Sequence, residues 1–393
     1  MRTFYFGILS IVLASLVSCN KSVMPAEDQR KAIEFDVEYT VDVKGVTLTE
    51  SNMQSNMMGV VAAVSMADGD QPVEFLSDDA DLQELMDDVP VKYMDEVWRA
   101  AKYENKKWVP NPYYWPVNPL HQVSFFAYAP YDIDNGISAS GDWANRRVEV
   151  ECTPNANPLY QADLCVADPV LDRQGYDPVS FNFNHTLSWV TFAANYDGEL
   201  PADSYLRIDE LSFYNIHGTN TLVIHPEPVN DMTPDADGNT PDPVYFKWNQ
   251  FGQNADKTAR YDMSIGKTTL GEVKIESKVS GGKYDDFVTS AGVLYILPQA
   301  INPADQSERT KMDVIFSFVK KDAQNNNTIM AQFQTSQTLP DGLITFEPAK
   351  KYRLGFTLNV DTASMVDFQC EEEGTWIVDW KNSGNNHPDT IIK

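Results

Sequence analysis

Cys19 is the residue whose setting speaks most directly of chemistry. It closes Leu16-Val17-Ser18-Cys19 at the end of an apolar run. The small residue before it suits a peptidase that cuts between Ser18 and Cys19, and its thiolate is the atom that would take a diacylglycerol. Upstream, Arg2 gives a positive start and residues 4–16 form the apolar stretch. A helix crossing a bilayer needs about 20 such residues, so 1–18 reads as a cleaved signal of the lipoprotein kind. Acyl chains contribute about 0.8 kcal/mol per buried CH₂, and several of them hold a protein stably on a membrane.

The other residue types that could do chemistry do not assemble. Histidines stand at 121, 185, 217, 225 and 387, with no HExxH and no nearby carboxylate partner. His185 shares a strand face with Phe183 and Leu187 and reads as a packed core residue. His217 and His225 could meet across a hairpin, yet two ligands fall short of a metal site. Gly266-Lys267-Thr268 ends like a phosphate loop, but Tyr261 stands where that loop needs glycine. Asp235-Ala236-Asp237-Gly238-Asn239 hints at a calcium loop, but Thr233 and Val244 occupy positions that require carboxylates. No GxSxG elbow occurs. A spatial pair of acids, as in glycosidases, leaves no trace in sequence. Acid runs such as Asp78-Asp79, Asp87-Asp88 and 371–373 read as solvated edges. No catalytic residue, metal site or cofactor is assigned, and the chain is read as non-enzymatic.

Charge narrows the partners. The 393 residues carry 57 acids against 30 bases, a net charge of −27, and loss of the signal removes only Arg2. Such a surface repels a phosphate backbone, so nucleic acid is excluded. Hydrophobic residues at 42% are ample for real cores. Beyond Cys19, the cysteines are Cys152, Cys165 and Cys370. Export permits a disulfide between Cys152 and Cys165, closing a small loop. Three unpaired, mostly buried cysteines is the reading that stands beside it.

The elements that would position these residues are strands. After a polar tether over 19–31, strict alternation begins: Ile33, Phe35, Val37, Tyr39, Val41 and Val43 face one way, with polar residues between them. Strands are further expected at 58–64, 91–97, 122–127, 148–152, 206–214, 221–224, 293–297, 312–319, 329–333, 352–360, 366–370 and 375–380. Residues 79–86 have the spacing of a short helix, and 154–178 read as a long irregular segment. Across 180–194 the apolar parity flips, as at a bulge or a change of partner. Many short strands with polar turns predict an all-β protein of two β-sandwich domains, 32–177 and 178–393.

Trp108-Val-Pro-Asn-Pro-Tyr113-Tyr114-Trp115-Pro116, followed by Val123-Ser-Phe125-Phe126-Ala127-Tyr128-Ala129-Pro130, resembles the fimbrillin-like family of Bacteroidales lipoproteins. Met58-Gly59-Val60-Val61-Ala62 is similar to an early strand of that family. Phe181-Asn-Phe183-Asn-His185-Thr-Leu187-Ser188 is similar to its "F.F.H.LS" strand. Tyr352-Arg-Leu-Gly-Phe356-Thr-Leu358 and Thr375-Trp-Ile-Val-Asp-Trp380 resemble its closing strands.

The resemblance implies sandwiches of transthyretin-like topology and a role as a fimbrial stalk, tip or anchor at the outer membrane surface. Its partners would be other fimbrial subunits, the membrane through its lipid, and a host or bacterial surface ligand. In such proteins a protease removes the first strand after an arginine, and a donor strand from the next subunit fills the groove. Here Arg30 precedes the alternating strand, and Lys44 is the basic residue at its end. The C-terminal tail alternates poorly as a donor, which favours tip or anchor over stalk. Asp361-Thr362-Ala363 and Asp389-Thr390-Ile391 resemble an O-glycosylation pattern of exported Bacteroidales proteins, with Thr362 and Thr390 as acceptors. The competing reading is a glycan-binding surface lipoprotein that stacks sugars on exposed tryptophans and tyrosines.

Overall fold

The runs Met-Gly-Val-Val-Ala-Ala-Val and Val-Ser-Phe-Phe-Ala-Tyr-Ala are apolar almost throughout, which suits strands buried on both faces. They form Met57–Ser65 and Gln122–Ala129, antiparallel neighbours within a ten-stranded sheet. The computed structural model describes residues 30–37, 57–131, 136–234, 238–251, 257–264, 274–287, 294–302, 309–322 and 326–375. The sheet runs in the order Val179–Phe181, Glu34–Val37, Val97–Glu104, Leu82–Met94, Met57–Ser65, Gln122–Ala129, Cys165–Ala167 and Phe183–His185. Lys107–Pro110 pairs beside Val97–Glu104, and Val170–Arg173 beside Gln122–Ala129. Its two end strands are separated in sequence by Asn182 alone, so the sheet must curl until its ends meet.

Curling creates an inside and an outside. Met58, Val60, Ala62 and Val64 join Val123, Phe125 and Ala127 in the inner core. Val61, Ala63, Phe126 and Tyr128 face outward, under a sheet ordered Phe246–Trp248, Asn220–Ile224, Arg147–Cys152, Ile137–Asp142. Gly59 shows how tight this layer is: a Cβ there would lie 2.2 Å from the Tyr128 ring. The Tyr128 hydroxyl donates to Asp88 at 2.7 Å, and the other Asp88 oxygen accepts from the Ala139 amide at 3.2 Å. Asp88 thus ties the two sheets together. Burial raises its carboxyl above the usual range, although both hydrogen bonds oppose the shift.

A separate sandwich encloses the third core, which includes Phe192, Ile208, Phe213, Phe316, Leu354 and Phe356. One of its sheets runs Asp285–Phe287, Ser188–Asp197, Lys350–Asn359, Ser364–Thr375; the other runs Ala259–Ser264, Ser204–Ile216, Lys311–Lys321, Asn327–Thr338. The parity change across 180–194 marks the passage between the two bodies. Phe183–His185 closes the curled sheet, and Ser188–Asp197 begins the sandwich. The protein is all-β, with no α-helix among the described residues.

Three local expectations are corrected. Residues 79–86 do not form a helix: Leu82–Met94 is a strand whose register shifts opposite Ala62 and Ala63. Those bulges send Leu82 to the outer core and Met86 to the inner one, which mimics helical spacing. The single strand expected at 91–97 is broken by a hairpin turn: 91–94 end one strand, Val97 begins the next, and Asp95 and Glu96 between them both adopt positive φ (52° and 67°). Residues 154–178 contain Cys165–Ala167 and Val170–Arg173. The former is too short, and too buried on both faces, to show a period. Of the alternating stretch 33–43, the described part is Glu34–Val37 plus Ile33, and the remainder lies outside the described residues, as does 376–380.

The Trp248 indole, itself buried, donates to the Thr186 carbonyl at 2.7 Å, where the chain passes between the two bodies. Trp248→Phe leaves that carbonyl without its donor and should cost about 1–3 kcal/mol, read as a lower midpoint in urea denaturation.

Candidate functional site

The first strand, Glu34–Val37, occupies a slot. On one side it runs antiparallel to Val97–Glu104, pairing Glu34 with Arg99 and Phe35 with Trp98. On the other it runs parallel to Val179–Phe181, pairing Phe35 with Val179 and Val37 with Phe181. Alternation then sorts its side chains as the sequence predicts. Ile33, Phe35 and Val37 are 1%, 3% and 6% exposed, whereas Asp36 lies in solvent. Burying three such side chains contributes about 5–9 kcal/mol by transfer arithmetic.

The aromatic motifs build the floor and mouth of this slot. Phe35 stacks on Phe181 with centroids 5.8 Å apart and meets Phe125 edge-on at 5.9 Å. Trp115 meets the same Phe125 edge-on at 5.8 Å. The Ile33 amide donates to the Tyr113 carbonyl at 2.8 Å, and the Trp115 amide donates to the Lys31 carbonyl at 3.2 Å. Arg30 lies 4.7 Å over the Tyr114 ring, and the Lys31 ammonium donates to the Tyr176 carbonyl. Residues from four distant stretches therefore converge on Phe35. What they can do chemically is hold an extended chain by main-chain bonds and apolar pockets.

A second cluster is buried nearby. His185 Nδ1 lies 2.7 Å from Asp163 Oδ2 and 3.3 Å from Cys165 Sγ. All three are buried, and burial followed by the Asp163 charge pushes the Cys165 thiol well up. Both partners address the same ring nitrogen. A nucleophile relay needs base and orienting acid on opposite nitrogens, so this trio is not one. It offers three donors to a metal, one fewer than a closed zinc site uses. His185 is the core residue expected, and its acid partner, 22 positions upstream, escaped the sequence reading. His217 and His225 do not meet: they flank the two ends of Asn220–Ile224, with His217 stacked on Phe251 at 3.9 Å.

Cys152 and Cys165 form no disulfide with each other, and both are buried. Cys152 sits in the covering sheet, where burial pushes its thiol up to about 12, while Cys165 faces His185. Thr362 is exposed in the turn after Lys350–Asn359, its hydroxyl donating to Asn359 at 2.7 Å. Ser18, Cys19, Lys44, Thr390 and the Gly266-Lys267-Thr268 run lie outside the described residues, as do 235–237. No helix among the described residues is long and apolar enough to cross a membrane.

A curled sheet whose first strand is held between two others, beside a β-sandwich, defines a class of strand-slotted β-proteins. Residues 81–372 match the fimbrillin-like family, and the chain belongs to it. Its fold is similar to that of a fimbrial protein from Bacteroides vulgatus, with TM-score 0.58 and 16% identity over 88% of this chain and 100% of that one. Candidate cell adhesion proteins from Bacteroides ovatus and Bacteroides uniformis align at 15% identity each, with TM-scores of 0.44 and 0.37. They cover 88% and 90% of this chain and 98% and 100% of their own. No curated protein matches the sequence.

Phe35→Ala should cost about 3–5 kcal/mol and speed proteolysis within 30–37. Asp36→Ser, on the solvent side, should leave stability within about 0.5 kcal/mol of wild type. Limited proteolysis followed by mass spectrometry, together with urea denaturation, separates the two variants.

Proposed function

We propose that this chain is a fimbrial subunit of the cell surface, anchored through lipid on Cys19 and assembling by strand exchange. The observation that carries this reading is the slot. Removing Glu34–Val37 would leave facing edges on Val97–Glu104 and Val179–Phe181, above an apolar floor made by Phe125 and Phe181. Unpaired edges over such a floor are a template for another strand. Cleavage after Arg30 would spare the strand and release only the tether, so Lys44 is the processing candidate that would open the slot.

Tip or anchor is preferred over stalk. Thr375 pairs with Lys350 within the subunit's own sheet, which leaves a donor to come from the tail beyond it. That tail is polar over 381–390. The division into two sandwich domains and their transthyretin-like topology belong to the same proposal, as does glycosylation at Thr362 and Thr390. The glycan-binding reading through exposed tryptophans and tyrosines draws less support: none of the six described tryptophans is exposed, and only tyrosines such as Tyr103, Tyr160 and Tyr176 are available for stacking.

Two measurements test the reading. Cys19→Ala should abolish labelled palmitate incorporation and release the protein from membranes; undiminished label would reject the anchor. Cleavage of purified protein near Lys44 should yield species that capture a donor strand without growing long. Long homopolymers that vanish on deletion of 375–393 would make this a stalk subunit.

A further inference from the structure

We propose that the end of the curled sheet where the chain enters docks on phosphate-bearing lipid headgroups of the membrane that holds Cys19. The proposal rests on the anchoring reading above and concerns the form in which the first strand is still in place. Strand register decides which residues share that end. Val97–Glu104 is antiparallel to the first strand, so its Glu104 end lies beside residues 30–33. Val179–Phe181 is parallel to it, so Tyr176, just upstream, lies there too. The main-chain bonds of Lys31 and Ile33 bring residues 113–117 to the same place.

A hairpin projects from this end. Beyond Arg99, its last partner on the first strand, Val97–Glu104 pairs with Lys107–Pro110 instead, Ala101 opposite Pro110 and Glu104 opposite Lys107. The turn is Asn105-Lys106, both at positive φ (52° and 64°). Five residues past Arg99, at about 3.4 Å each, give a reach of about 17 Å. Lys102, Lys106 and Lys107 are exposed on it. Tyr103, 63% exposed, packs against Trp108 with centroids 5.4 Å apart. Around its base stand Arg30, Lys31, Tyr176 at 54% exposure and Val117 at 82%, the most exposed large apolar side chain among the described residues.

Lysines beside exposed tyrosine and valine and a half-buried tryptophan are the chemistry of a membrane interface. The acids nearby are Glu34, Asp177 next to Tyr176, Glu104, which Lys102 holds at 3.2 Å, and Glu84 and Asp87 beside Tyr113. This end is thus balanced in charge, five bases against five acids, with three of the bases on the hairpin, in a chain whose net charge is −27. Ten residues lie between Cys19 and Arg30, so the eleven steps of chain from one to the other can span at most about 40 Å, and the acylated end keeps this face close to the bilayer. Screening acts over about 8 Å at physiological salt. A projection twice that long meets the headgroups while the acidic body stays beyond its range.

The test uses the mature chain from position 19, with Cys19→Ser so that no acyl chain contributes. It is sedimented with vesicles of phosphatidylcholine alone or with one-third phosphatidylglycerol. Binding should require the anionic lipid, weaken in high salt, and fall at least about tenfold in a K102E/K106E/K107E variant whose circular dichroism is unchanged. A triple arginine variant should bind as wild type does. Equal binding by wild type and K102E/K106E/K107E, or no binding to either vesicle, overturns the proposal. Retention on an acidic polysaccharide such as polygalacturonate, without vesicle binding, also overturns it and assigns the hairpin to glycan contact. Vesicle binding without palmitate on Cys19 would remove the anchor and leave the hairpin's lipid affinity standing. Palmitate without vesicle binding would remove this proposal alone.

Discussion

The contact of Phe35 with Phe125 and Phe181 is the interaction on which the rest of the N-terminal body depends. Phe181 belongs to one end of the curled sheet and Phe125 to its middle, so the ring of Phe35 spans the interior between them. A sheet of this size curls only if something fills the space it encloses, and aromatic rings supply large buried area at low entropic cost. Trp115 adds a further edge against Phe125. The strand that carries Phe35 is short, four residues in its described part, and joined to its neighbours by few backbone bonds. A piece so placed can be central to the core and still be replaceable by another strand of the same pattern.

Curling also explains the composition of the central strands. A sheet with one wet face shows alternation, but Met57–Ser65 and Gln122–Ala129 are covered inside and out and show almost none. Small residues become necessary where two layers press on one strand. Gly59 makes room for Tyr128, and Tyr128 in turn reaches Asp88, which binds the covering sheet through Ala139. That covering sheet draws Ile137–Asp142 and Arg147–Cys152 from before the curled sheet closes, and Asn220–Ile224 and Phe246–Trp248 from after. The two parts of the chain are therefore joined by backbone pairing as well as by a crossing.

The buried polar groups sit where short strands must be held together. Asp163 Oδ2 lies 2.7 Å from His185 Nδ1 with both residues buried, and Cys165 adds a thiol held neutral by burial. Asp168 is similar: burial raises its carboxyl, while Asn182 and Asn184, each 2.8 Å away, work against that shift. Both arrangements brace the short strands that close the curled sheet, Cys165–Ala167 and Phe183–His185. Buried polar groups that are paired in this way rigidify a junction, whereas an unpaired one would cost stability.

Patterning by itself determined the class of this protein. Period-two alternation at 33–37, the largely apolar runs at 58–64 and 122–127, and the parity flip across 180–194 all correspond to strands or strand junctions that formed. The order of the motifs at 58–62, 108–116, 123–130, 181–188, 352–358 and 375–380 pointed to the fimbrillin-like family. Tertiary structure alone decided which of those motifs meet. It also made 79–86 a bulged strand, placed hairpin turns at Asp95-Glu96 and Asn105-Lys106 without a glycine in either, and brought Asp163 to His185. The reason is one of range. Side-chain periodicity is set by local backbone geometry and is written residue by residue. Register, bulges and buried partners are settled by contacts between segments tens of residues apart, where the bonding of a whole sheet outweighs the preference of any single turn.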